Sequence, residues 1–84
     1  MALTDDYAAM LIGAGLNGDD VSKPRPRVSQ IRTLIGSWME QRHPDVLYTV
    51  RNRDMPEKGF INVLIGFDRA GEDHFEATLL CSTN

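Results

Sequence analysis

Three groups of residues have the types and spacing that chemistry would need, and the first is a run of glycines near the start of the chain. Gly13, Gly15 and Gly18 match G-x-G-x-x-G, whose glycines let backbone amides approach a pyrophosphate at a helix N-terminus. Such a site needs a strand before the glycines and a helix directly after them. Here Asp19 and Asp20 follow, and their charges would repel phosphate. We therefore expect the glycines to end a helix and begin a linker, without a nucleotide cofactor.

The second group consists of His43, His74 and Cys81, the side chains best suited to bind zinc or act as a nucleophile. They are spaced too widely for a recognised zinc pattern. Cys81 falls on an apolar position of a predicted strand, so we expect a buried structural thiol. The acidic residues fall in predicted turns, in the first helix or at exposed strand positions, where no general acid–base pair can be assigned. We predict no metal, no cofactor, no small-molecule substrate and no enzymatic activity.

The third group is a basic segment in the middle of the chain. All nine Lys and Arg residues lie within residues 23–69, which have a net charge of +4, whereas both ends carry only acids. Four of the cations cluster in a proline-spaced segment, residues 23–27, which we call the arm, and in the first turns of the following helix: Lys23, Arg25, Arg27 and Arg32. They could contact nucleic-acid phosphates or an acidic protein surface, or pair internally with Asp5, Asp6, Asp19 and Asp20. The sequence pI of about 5.2 is unlike the basic balance of most nucleic-acid binders.

Length and composition predict one small domain, residues 1–84. With 42% hydrophobic and 25% charged residues, the chain is typical of globular proteins. The longest apolar stretch, residues 8–16, is far shorter than the roughly 20 residues of a membrane-spanning helix. The chain has a single cysteine and no secretory pattern at its N-terminus. We therefore expect a cytoplasmic protein with no membrane segment.

The elements that would position these groups begin with two helices. Apolar residues at helical spacing predict a short helix over residues 5–13, and a polar linker follows over residues 15–25. A stronger pattern covers residues 27–42, where the apolar side chains fall within an arc of about 140° on a helical wheel. His43 and Pro44 end this core helix, because the residue before a proline disfavours helical geometry.

Beyond Pro44 the apolar pattern changes to period two, which predicts strands over residues 46–52, 60–67 and 75–81. The short connections favour an antiparallel meander. The sequence thus predicts an α+β fold in which two N-terminal helices precede a three-stranded antiparallel sheet and the core helix packs on one sheet face. The side chains assigned to that inner face are Val46, Tyr48, Val50, Ile61, Val63, Ile65, Phe67, Phe75, Ala77 and Leu79.

The opposite sheet face also carries apolar side chains, one leucine per strand: Leu47, Leu64 and Leu80. In the register that the turns suggest, these leucines form a stripe, and full burial of each would stabilise by roughly 1.5–3 kcal/mol. Three interpretations are open: the first helix folds back through its linker and covers the leucines, a second copy or a partner protein covers them, or they are isolated exposed side chains. A three-stranded sheet also has two open edges, which favour strand addition or dimerisation.

These patterns favour a non-catalytic interaction module that binds another protein, or a second copy of itself, and acts by occluding a surface. Small domains of this kind include accessory and inhibitory factors, among them those that phages and mobile elements encode. The predicted protein-binding surface joins sheet positions to a basic rim: Leu47, Thr49, Arg51, Arg53, Leu64 and Leu80. The alternative is nucleic-acid binding through the arm and the start of the core helix, at Lys23, Arg25, Arg27 and Arg32.

Overall fold

The computed structural model describes residues 3–69 and 74–83, which form two helices followed by one sheet of three strands. The helices are α1 (Leu3–Gly13) and α2 (Val28–Arg42), and the strands are β1 (Leu47–Asn52), β2 (Phe60–Asp68) and β3 (His74–Ser82). The central strand, β2, pairs antiparallel with both neighbours. The predicted α+β arrangement of two helices and an antiparallel meander is confirmed. Neither helix is long and apolar enough to cross a membrane within these described ranges.

The ends of α2 follow from local sequence. Arg27 precedes the helix in an extended conformation, and its backbone N–H donates to Gln30 Oε1 at 2.9 Å. At the other end the His43 N–H donates to the Met39 carbonyl at 2.8 Å, and Pro44 then prevents a further helical turn. The buried side of α2 faces the sheet through Ile31, Ile35, Trp38 and Met39.

The hydrophobic core lies between the helices and the inner face of the sheet. The sheet contributes side chains with no more than 7% exposure: Val50, Ile61, Val63, Ile65, Phe67, Leu79 and Cys81. Tyr48 differs, since it is 41% exposed on the edge strand β1. A Cβ on Gly36 would lie 3.0 Å from the Tyr48 hydroxyl, so this glycine makes room for the tyrosine against α2. The buried position of Cys81 is the one that its strand pattern predicted.

α1 packs beside α2 on the same side of the sheet. Tyr7, only 3% exposed, places its ring 5.2 Å from Phe67, 5.7 Å from Phe75 and 5.9 Å from Trp38, measured between ring centroids. Tilted and edge-on aromatic pairs at such distances are favourable beyond the area that they bury. The alternative in which the first helix folds over Leu47, Leu64 and Leu80 is therefore wrong, because the aromatic partners of α1 lie on the inner side.

An ionic cluster fixes the same position of α1. The carboxylate of Asp6, a buried residue, accepts hydrogen bonds from Arg42 Nε at 2.8 Å and from His43 Nε2 at 2.6 Å, both at the end of α2. The bonds from Arg42 and then His43 hold the pKa of Asp6 below its ordinary value. Asp6 thus pairs with the C-terminal end of α2 instead of the basic arm, and Asp20 accepts its bonds from Ser22.

The linker between the helices runs along the free edge of β3. Gly15 and Gly18, after the end of α1, adopt φ values of +72° and +84° that other residues rarely tolerate. Further on, the Pro26 carbonyl accepts a hydrogen bond from the Ser82 N–H at 2.8 Å. The Arg25 guanidinium donates to the Leu80 carbonyl at 3.1 Å. The arm therefore covers the C-terminal end of the β3 edge, at Leu80 and Ser82, whereas the sequence predicted an open edge.

Candidate functional site

The candidate site is the outer face, which we define as the sheet surface turned away from both helices. Alternate residues of the strands form it, as the burial of β2 shows: Ile61, Val63 and Ile65 are buried, whereas Asn62 and Leu64 between them are half-buried. No helix in the described part of the chain lies over this surface. The outer face consists of Leu47, Thr49, Arg51, Phe60, Asn62, Leu64, Gly66, Asp68, His74, Glu76, Thr78 and Leu80.

The strand register sets the spacing of the three leucines. Leu64 is opposite Arg51, and Leu80 is opposite Asn62, so Leu64 and Leu80 are diagonal neighbours whose side chains can touch. Leu47 lies four residues along β1 from Arg51 and is 70% exposed. The predicted continuous stripe of three leucines is therefore wrong. The outer face has an apolar pair near its centre and an isolated leucine at one end of its edge strand.

A depression of about 300 Å³ occupies the end of the outer face nearest Leu47, and we call it the Gly66 depression. A Cβ on Gly66 would lie 3.0 Å from Thr49 Oγ1, so any larger residue there would press on the threonine and fill the depression. The lining combines an apolar edge with polar walls: Leu47, Tyr48, Thr49, Arg51, Gly66, Asp68, His74 and Glu76.

The charges of the Gly66 depression are linked. His74 Nε2 lies 2.6 Å from Glu76 Oε1, and both side chains are largely exposed to solvent. The hydrogen bond to His74, followed by smaller electrostatic effects of His74 and the Arg51 guanidinium, holds the pKa of Glu76 below its ordinary value. No three His, Cys, Asp or Glu side chains among the described residues come together as metal ligands. The arrangement suits hydrogen bonding to a docked surface.

A second depression, the hairpin groove, lies at the opposite end of the outer face and has a volume of about 350 Å³. The connection between β1 and β2 forms one wall, where Glu57 and Phe60 exchange backbone hydrogen bonds of 2.8 and 3.0 Å. Two exposed apolar side chains border it, Met55 at 85% and Val21 at 58% exposure. The complete lining is Val21, Asp54, Met55, Glu57, Lys58, Phe60, Ile61, Asn62 and Leu80.

Four of the six predicted protein-binding residues line these two depressions. Three of them, Leu47, Thr49 and Arg51, line the Gly66 depression, and Leu80 lines the hairpin groove. Leu64 lies on β2 between the two, whereas Arg53 follows the end of β1 and lines neither.

The site also contains residues that the sequence interpretation did not include, among them Val21, Met55, His74 and Glu76. Val21 and Met55 are apolar residues within polar loops, and this position was the sequence signal that could have assigned them to the site. For His74 and Glu76 the signal was their spacing of two, which puts both on one face of a strand.

The four cations of the alternative nucleic-acid site do not share one role. Arg25 is half-buried, and its guanidinium donates to two backbone carbonyls, Leu80 at 3.1 Å and Leu16 at 3.2 Å. Its side chain thus holds the linker against the sheet. Lys23, Arg27 and Arg32 are exposed. These two carbonyl bonds make Arg25 a structural residue rather than one that presents its charge to solvent.

Comparison with protein-family models, with curated proteins and with solved structures finds no match to this chain. Similarity therefore supplies no function.

Proposed function

We propose that this chain is a non-catalytic binding module that docks its outer face on another protein. The observation that carries the proposal is the position of α1. Tyr7 and Asp6 fix that helix beside α2, on the inner side of the sheet. The leucines of the outer face consequently have no helix over them in the described part of the chain. Apolar side chains that lie next to each other on a surface mark interaction sites more often than isolated ones do.

The shape and chemistry of the outer face indicate what a partner should offer. The diagonal pair Leu64 and Leu80 forms an apolar centre, and full burial of each leucine would contribute up to roughly 1.5–3 kcal/mol. The depressions on either side can accept side chains from the partner. His74, Glu76 and Arg51 provide a charged rim that can direct hydrogen bonds. We therefore expect the partner to present an apolar patch with polar and charged residues around it.

The proposed mode of action is occlusion of the partner's surface, as by an accessory or inhibitory factor. The most nucleophilic side chain of the chain, the Cys81 thiol, is fully buried on the inner side of the sheet. Burial raises its pKa to about 11, so little reactive thiolate forms at neutral pH. We place this function in the cytoplasm, where a single reduced cysteine is stable.

The test is capture of a partner by the immobilised chain, compared between two matched variants. Leu64→Asp places a charge at the centre of the outer face, and Ile12→Asp makes the same kind of change at a 64%-exposed position of α1. Circular dichroism first establishes that both variants are folded. We expect Leu64→Asp to lose the captured protein and Ile12→Asp to retain it. Equal capture by both variants, or equal loss, would remove the outer face as the binding surface.

A further inference from the structure

The two edges of the sheet are not equivalent. The arm covers the C-terminal end of β3, where Pro26 accepts a bond from Ser82 and Arg25 donates to Leu80. On the other side, the backbone of β1 makes ladder bonds to β2 alone among the described segments. Alternate residues of an edge strand direct N–H and C=O groups away from the sheet. β1 therefore offers a row of hydrogen-bonding groups to another strand.

β1 also lacks the features that usually prevent edge pairing. Its six residues, LYTVRN, include no proline, glycine or lysine, and Arg51 is the single charge. Tyrosine, threonine and valine in its middle favour the extended conformation. Leu47 is 70% exposed and Tyr48 is 41% exposed, so apolar surface accompanies the open backbone. An edge of this composition favours the addition of a strand.

The charges at the two ends of β1 identify which strand fits. On the outer face, Asp68 is opposite Leu47 at the N-terminal end, and Arg51 lies at the C-terminal end. In an antiparallel pair of two β1 strands related by a two-fold axis at Thr49, Leu47 of one copy lies opposite Arg51 of the other. Asp68 is then two strand spacings, about 10 Å, from that arginine, within the combined reach of both side chains. The carboxylate of Asp45 lies 3.4 Å from Arg69 Nε in the same copy, so the proposed contact between Arg51 and Asp68 does not require it.

The same register covers the exposed apolar side chains of the edge. The aliphatic part of the second copy's arginine crosses Leu47 on its way to Asp68, as long cationic side chains commonly do over apolar surface. On the inner side Tyr48 lies opposite Val50 of the second copy. A parallel arrangement would instead place the arginines of both copies side by side. The antiparallel arrangement is thus the self-complementary one.

We propose that two copies of this chain pair through β1, antiparallel and about a two-fold axis at Thr49, into one continuous sheet. The occupant of the edge is a second copy because Arg51 on β1 of each copy then lies within reach of Asp68 on β2 of the other. This pairing places the two outer faces next to each other, and in that respect it extends the proposed docking function. A contact through one short strand belongs with the small interfaces below about 1,200 Å², so the dimer exchanges with monomer.

Sedimentation equilibrium over about a hundredfold range of protein concentration tests the proposal, with charge reversal as the probe. We expect the wild-type mass to rise from monomer towards dimer with concentration. Arg51→Glu should weaken association about tenfold or more, because like charges then meet at both ends of the pair. Arg51→Glu combined with Asp68→Arg should restore it, and Arg32→Glu, the same charge change on α2, should have no effect.

A wild-type chain that stays monomeric throughout the concentration range would overturn the proposal, even if the edge accepts a strand of another protein in a complex. Dimerisation that Arg51→Glu does not weaken, or that Asp68→Arg does not restore in the double variant, would overturn the proposed register. The docking function is judged separately, because Leu64→Asp is expected to abolish partner capture while the dimer persists. A monomer that still captures its partner through Leu64 would refute the pairing of β1 and leave the docking function standing.

Discussion

Replacement of Tyr7 by phenylalanine should make the protein more stable. The Tyr7 hydroxyl is buried and has no hydrogen-bond partner among the described residues, and burial raises its pKa to about 12. A buried hydroxyl without a partner costs about 1–3 kcal/mol relative to water. Phenylalanine removes this cost and keeps the ring against Phe67, Phe75 and Trp38. We therefore expect Tyr7→Phe to raise the free energy of unfolding by about 1 kcal/mol or more.

Urea unfolding monitored by circular dichroism measures this change, since a shift of midpoint at constant slope reports stability. In thermal unfolding, 1 kcal/mol corresponds to about 4–8 °C for a domain of this size. Tyr48→Phe is the matched control, because that residue is 41% exposed and its change should stay within about 0.5 kcal/mol. Tyr7→Ala, which removes the ring as well, should lower the free energy of unfolding by about 3–5 kcal/mol. A Tyr7→Phe variant less stable than wild type would refute the reasoning, because the hydroxyl would then have a partner and α1 a different position.

Three further predictions concern Arg25, Asp6 and Cys81. Arg25→Ala should destabilise by about 1–2 kcal/mol in urea unfolding because two carbonyl bonds are lost, while Arg32→Ala should be neutral; equal effects would show that Arg25 does not hold the arm. The pKa of Asp6 is lowered from 3.8, so its contribution to stability is present above that value and is lost as the pH falls through the lowered pKa. Melting temperatures between about pH 5 and pH 2 should therefore fall less steeply in Asp6→Asn than in wild type, and an unchanged slope would contradict the ionic link to α2. Cys81, with its pKa raised to about 11, should resist alkylation near pH 8 in the native chain and react readily in urea; rapid native labelling would show that the inner face is open.

The sequence predicted the parts of the fold in which the period of the apolar residues is typical of a single type of secondary structure. The apolar residues of 27–42 recur at helical spacing, and those after Pro44 alternate, so α2 and the strands followed from periodicity. The two faces of β2 were also predictable, because the alternating apolar residues of a strand can lie on only one of two sides of the sheet. The fully buried Val63 and the half-buried Leu64 show this alternation directly.

The position of α1 was not predictable in the same way. Its apolar residues show that one side is buried, but periodicity does not say against which sheet face. The sheet face against which α1 packs is determined by two long-range contacts. Tyr7 fits among three aromatic rings, and Asp6 binds Arg42, which is 36 positions away in the sequence. From sequence, the arginines of the arm were equally good partners for Asp6.

Parts of the candidate site depend on backbone contacts that side-chain patterns do not report. The arm lies along β3 through a bond from Ser82 to the Pro26 carbonyl, which no residue type announces. The stripe of leucines failed because it needed a register, and the actual pairing places Leu47 opposite Asp68, away from Leu64. Residue types indicated an apolar outer surface, and only the register gave its arrangement.

The most direct test of the central claim, that the chain leaves its own outer face open, is urea unfolding of Leu64→Asp beside Val63→Asp. These neighbours on β2 point to opposite sides of the sheet, and only Val63 is fully buried. We expect Leu64→Asp to unfold cooperatively, with a free energy of unfolding about 1 kcal/mol lower than that of wild type. The loss is small because the new carboxylate reaches water and faces Arg51 across the strands. Val63→Asp should abolish the folded state, since it buries an unpaired charge. If Leu64→Asp also fails to fold, the outer face is part of the core and the account is contradicted.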